Sequence, residues 1–164
     1  MKRHYLPLLF LFASCASENC WKLDSISAGD RSYDSSRLRY VNPSSNSPLA
    51  FEMLRVGNNV EAFLALHRNR LSPSSKSANS VNALFLIDGV QYQEEIPLRE
   101  GGMRVRLSLE MASRLAQALQ EGKNVSILID GYEESLEAGR FARTFSQFLG
   151  KQFDDENLFK GLIQ

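Results

Sequence analysis

Apolar and polar positions divide the chain into an opening apolar run, a polar stretch, and a body of alternating strand-like and helix-like periods. Met1-Lys2-Arg3-His4 is a basic head, and Tyr5 to Phe12 is an apolar run without a charge. That order is the n-region and h-region of a secretory signal. Stretched from Tyr5 to Ala16, a helix would reach about 18 Å, against a hydrocarbon core of roughly 30 Å. The run is too short to span a membrane.

In the body, Leu49 to Val56 and Val60 to His67 flank Gly57-Asn58-Asn59, which predicts a hairpin. Val60, Phe63, Leu64, His67 and Leu71 also fit a 3.6 period, so a helix is the competing reading there. Ala83 to Ile87 and Val90 to Ile96 flank Asp88-Gly89, and Val125 to Ile129 and Tyr132 to Leu136 flank Asp130-Gly131. Such pairs favour two-residue type I′ turns, which need positive φ at both positions. The recurrence of Leu-Ile-Asp-Gly, at 86–89 and 128–131, is read as reuse of a good turn rather than as a duplicated hairpin. Met103 to Leu107 alternates Met103, Val105 and Leu107 against Arg104 and Arg106, a half-buried strand.

The clearest helix is Leu109 to Glu121, with Ser108 as cap, Glu110 in the first turn and Gly122 as terminator. Leu109, Ala112, Leu115, Ala116 and Leu119 form its expected apolar stripe, and three buried leucines would contribute about 5 to 8 kcal/mol before entropy. From Arg140 to Leu149, Phe141, Phe145, Phe148 and Leu149 share one helical face, read as core rather than as a ligand box. Asp154 and Asp155 can start a last short helix carrying Leu158, Phe159, Leu162 and Ile163. The predicted fold class is α+β, mainly antiparallel β and sandwich-like, with one main helix and short C-terminal helices.

Two polar stretches interrupt these periods. Ser17 to Pro48 holds only short apolar pieces, at Trp21-Lys22-Leu23 and Leu38 to Val41, and reads as a tether with one or two edge strands. Ser72 to Ser80 reads as a mobile loop.

At the end of the h-region stands Leu11-Phe12-Ala13-Ser14-Cys15, which resembles the lipobox of bacterial lipoproteins, with Phe12 where leucine is usual. The resemblance implies cleavage before Cys15, acylation of its thiol and new amino group, and anchoring by two or three acyl chains. Ala16, in place of an aspartate, favours the outer over the inner membrane. The rival is cleavage after Ala16, which would release a soluble periplasmic or secreted protein. The implied organisation is a signal peptide over 1–14, a lipidated N-terminus and polar tether over 15–48, and one globular domain over 49–164. Cys20 has no metal or redox spacing to Cys15 and is read as an unpaired tether residue.

Removing Lys2 and Arg3 from the 19 basic residues leaves 17 against 19 acidic ones, a near-neutral mature chain with no basic run to suggest nucleic acid. Past Cys15 there remains one histidine, His67, too few for a multi-histidine metal site and the sole candidate base for a serine triad; it is read as structural. No nucleophile elbow, phosphate loop or dinucleotide fingerprint occurs. Glu94-Glu95 and Glu133-Glu134 are sequence neighbours that a strand would point to opposite faces. Asn124-Val125-Ser126 is a glycosylation sequon, relevant only to a eukaryotic secretory route.

The order of elements from Ala83 to Leu149, with a leucine-rich helix ending in Glu-Gly-Lys, resembles the invasion-associated locus B family of periplasmic proteins. That resemblance implies a β-sandwich decorated by a helix and an exported protein without known catalytic chemistry; the family's cysteine pair has no counterpart at Glu100 to Met103. The expected function is a membrane-anchored envelope lipoprotein whose non-catalytic binding or structural domain faces the periplasm or the exterior. Its expected partners are membrane lipid through the acylated Cys15 and an envelope or host protein, with no cofactor, metal or nucleic acid. A small envelope hydrolase, or an inhibitor of an envelope enzyme, is the alternative.

Overall fold

The computed structural model describes residues 20–27, 34–42, 46–67, 69–75, 77–98 and 101–150. Their elements run β1 (Trp21–Ile26), β2 (Ser35–Tyr40), β3 (Leu49–Val56), β4 (Asn59–Leu66), β5 (Ser80–Ile87), β6 (Val90–Pro97), β7 (Arg104–Arg106), α1 (Leu109–Gln120), β8 (Val125–Ile129), β9 (Tyr132–Leu136) and α2 (Phe141–Leu149). One antiparallel sheet has the order β1-β2-β3-β4-β7, the other β6-β5-β8-β9. The architecture is α+β, mostly antiparallel and sandwich-like.

Turn chemistry sets the hairpins. Gly57, at φ 56°, opens the two-residue turn that pairs Val56 with Asn59, so the 60–66 stretch is strand and not helix. Asp88 and Gly89 lie at φ 49° and 83°, Asp130 and Gly131 at 48° and 77°, as type I′ turns require. The hairpins so formed meet through β5 and β8, where Ala83 pairs with Ile129, Phe85 with Ile127 and Ile87 with Val125. A shift of 42 residues, from Phe85 to Ile127, carries the first hairpin's register onto the second and this ladder onto itself. The four-stranded sheet therefore has an approximate two-fold arrangement about the Phe85–Ile127 pair.

Much of the polar 15–48 segment is sheet. Trp21, Leu38 and Tyr40 point into the core, whereas Lys22, Asp24, Arg37 and Arg39 alternate outward. The polar composition belongs to the outward positions of β1, an edge strand, and of β2, an interior one. The described residues begin at Cys20. That cysteine, expected on a tether, is buried beside the Tyr40 phenol.

Helix α1 is capped as predicted. The Ser108 hydroxyl accepts from the Met111 N–H at 3.2 Å, and Gly122 at φ 77° lets Lys123 N–H reach the Ala118 carbonyl at 2.9 Å. Its buried arc is Met111, Ala112, Leu115, Ala116, Ala118 and Leu119. Leu109 is not in it and is 40% exposed. At about 100° per residue, Leu109 lies roughly 100° from the arc's centre, so two leucines anchor this face instead of three.

The inner faces of both sheets and the two helices share one core. Helix α2 buries Phe141, Phe145 and Phe148, and the ring of Trp21 sits 4.6 Å from Phe141, 5.0 Å from Tyr40 and 6.2 Å from Phe51. Trp21 Nε1 donates to the Glu137 carbonyl at 2.8 Å, and the Glu137 N–H donates to the Tyr40 hydroxyl at 3.2 Å. The aromatic face on α2 is thus packing. Burial pushes the Tyr40 phenol well above the usual tyrosine range. The last expected helix, from Asp154, lies outside the described residues.

Candidate functional site

Cys15, the residue singled out for lipid attachment, lies outside the described residues, as do the signal positions.

Within the fold, the sequence neighbours that invited an acid/base reading are separated. Glu94 faces inward with Ala83 across the ladder, and its Oε1 accepts from the Ser108 N–H at 2.8 Å, at the positive end of α1. Its neighbour Glu95 faces outward and accepts from the Ser80 hydroxyl. Glu134 is buried opposite Ile127, whereas Glu133 lies on the outer face. His67 is exposed at the end of β4, where its N–H donates to the Pro48 carbonyl at 3.1 Å. A shallow cavity of about 280 Å³ on the outer face of the four-stranded sheet is lined by Asn82, Leu84, Gln93, Leu128 and Asp130. His67 takes no part in that lining. Among the described residues no three His, Cys, Asp or Glu side chains gather as metal ligands would.

The inward glutamates have a structural role. Glu94 and Glu134 lie on β6 and β9, the edges of their sheet, and an inward charge on an edge strand opposes pairing with another chain. At the edges of the other sheet, β7 is three residues long and β1 carries Lys22 and Asp24.

Charged side chains do converge on the outer face of the five-stranded sheet. Register aligns Lys22, Arg39, Glu52, Phe63 and Arg106 across all five strands, and Asp24, Arg37, Leu54 and Glu61 in the next row. Arg104 stands beside the first row, paired with Ala65. Its guanidinium lies 3.6 Å over the Phe63 ring and 3.4 Å from Glu52, whose side chain is only 8% exposed. Asp24 accepts from Arg37 at 3.3 Å and from Arg39 at 3.0 Å, and Glu61 accepts from Arg106 at 2.7 Å. The Arg37 hydrogen bond first, with the Arg39 charge, holds the Asp24 carboxyl below the usual carboxylate range. Arg39 Nε is buried without a hydrogen-bond partner. These guanidiniums are oriented by stacking and by carboxylates, in ion pairs that leave the face a net positive charge.

In sequence, the only signals for this face are the same-parity arginines at 37 and 39 and at 104 and 106. Nothing local says that β2 and β7 lie in one sheet. No family model matches the chain, and no curated protein or solved structure matches it.

Proposed function

We propose that this chain is the precursor of an exported lipoprotein, cleaved before Cys15, whose body is a non-catalytic binding or structural module held at a bacterial envelope membrane. The observation that carries this reading is the placement of Cys15 directly after Ala13-Ser14, where an h-region too short to span ends. Two or three acyl chains at about 0.8 kcal/mol per buried methylene give durable anchoring. For the body, support comes from Glu94, Glu95, Glu133 and Glu134 facing apart and from His67 standing at the rim of a sheet. General acid/base work needs such groups within hydrogen-bond reach of one substrate.

Wild-type protein is expected to label with palmitate and to partition into detergent, and Cys15→Ala to do neither. Equal labelling of the two would contradict the anchoring. The module itself is expected to show no turnover of peptidoglycan, ester, phosphate or peptide substrates, and His67→Gln to leave its function intact. Turnover abolished by His67→Gln in a folded protein would assign it instead to a hydrolase.

A further inference from the structure

We infer that the outer face of the five-stranded sheet is the surface on which the body lies against an anionic membrane. The inference rests on the anchoring reading, which places the body at a bilayer; it adds which side faces the lipid.

Charge distribution is the first support. On the outward positions of β1 to β4 and β7, five basic side chains, Lys22, Arg37, Arg39, Arg104 and Arg106, meet three acidic ones, Asp24, Glu52 and Glu61, a balance of +2. The outward positions of the four-stranded sheet carry Glu95 and Glu133 and no Lys or Arg, a balance of −2. A near-neutral chain is thus polarised across its sandwich. The sheets of a sandwich are about 10 Å apart, close to the Debye length at 0.1 M salt, so a surface touching the basic face feels the nearer charges more strongly than those of the acidic one. Apolar side chains are exposed on both faces, Ile26 and Val56 on one and Leu86 and Leu128 on the other, and charge decides between them.

Shape and reach agree. Five strands make a face about 19 Å across, and basic groups spread over it in rows fit a plane of headgroup phosphates better than a single chain. The exposed Ile26 and Val56 form its next row, where apolar side chains can enter the interfacial layer. Cys20 lies five residues after Cys15, a reach of at most about 18 Å, and Lys22 follows two residues on. A lipid on Cys15 therefore holds β1 close to the headgroups.

The test uses the mature chain, residues 15–164, with Cys15→Ser, so that no acyl group contributes; every core residue of the body lies within it. Its partitioning is measured by co-sedimentation at 0.1 M salt with vesicles of equimolar phosphatidylglycerol and phosphatidylcholine, and of phosphatidylcholine alone. The expected preference for the anionic vesicles is about 25-fold, at roughly fivefold for each of the two net basic charges near the surface. Lys22→Gln/Arg37→Gln/Arg106→Gln and Lys22→Glu, which bring the balance to −1 and to 0, should each abolish it, and Glu95→Gln/Glu133→Gln should leave it in place. Equal partitioning into both vesicles, a preference surviving in the triple variant or in Lys22→Glu, or binding to polyglutamate with no vesicle preference would overturn the inference. Because the acyl group is absent, such a failure leaves the anchoring standing, and failed palmitate labelling leaves this face standing.

Discussion

Trp21→Ala is expected to cost the fold about 3 to 5 kcal/mol, the range of large aromatic deletions in a packed core. The indole is 1% exposed and touches rings from β2, β3 and α2, and it donates to the carbonyl of Glu137 just after β9. Its removal leaves a cavity at the junction of both sheets and strips a carbonyl of its donor. Domain stabilities are typically about 5 to 15 kcal/mol, so the loss is a large fraction of the whole. Ile26→Ala, on the same strand but at a position 70% exposed, should stay within about 0.5 kcal/mol. Urea denaturation midpoints decide the matter. Two equal shifts would mean that β1 is not part of the folded body.

Arg104→Ala should cost about 2 to 3 kcal/mol, more than an exposed ion pair warrants. Glu52 is nearly enclosed, and the Arg104 guanidinium both pairs with it and stacks on Phe63. Deleting the arginine leaves a carboxylate with little water and one charge partner fewer. Arg104 is itself 41% exposed, so solvent relieves part of that cost. Glu52→Gln in the same background should recover most of the loss. A double-mutant cycle over Glu52 and Arg104 measures the coupling, and a coupling near zero would show that the pair does not hold this face.

The parts of the fold visible in the sequence are those specified by a few adjacent residues. Asp88-Gly89 and Asp130-Gly131 announce their hairpins because only a small set of residues takes positive φ twice in succession. Ser108 and Gly122 bracket α1 for a similarly local reason. What was hidden depends on long-range pairing. Arg37 and Arg39 give β2 a polar cast, and its role as an interior strand follows only from its ladders with both β1 and β3. Cys20 reads as a linker residue until Tyr40 is placed beside it. Leu109 looks like the first member of the α1 stripe, yet the arc is set by where β4, β8 and α2 meet the helix. The arginine face is the extreme case, since its residues come from strands separated by up to 84 positions, Lys22 to Arg106, and only register brings them into one row.

The anchoring itself is tested most directly at the N-terminus of the protein in its own envelope. Mass spectrometry of the N-terminal tryptic peptide from purified membranes should find Cys15 to Lys22, with a diacylglyceryl group on the Cys15 thiol and, where processing is complete, an acyl group on its amine. An unmodified peptide from Ser17 to Lys22, or the peptide from His4 to Lys22 that an uncleaved signal would leave, would contradict the lipoprotein assignment.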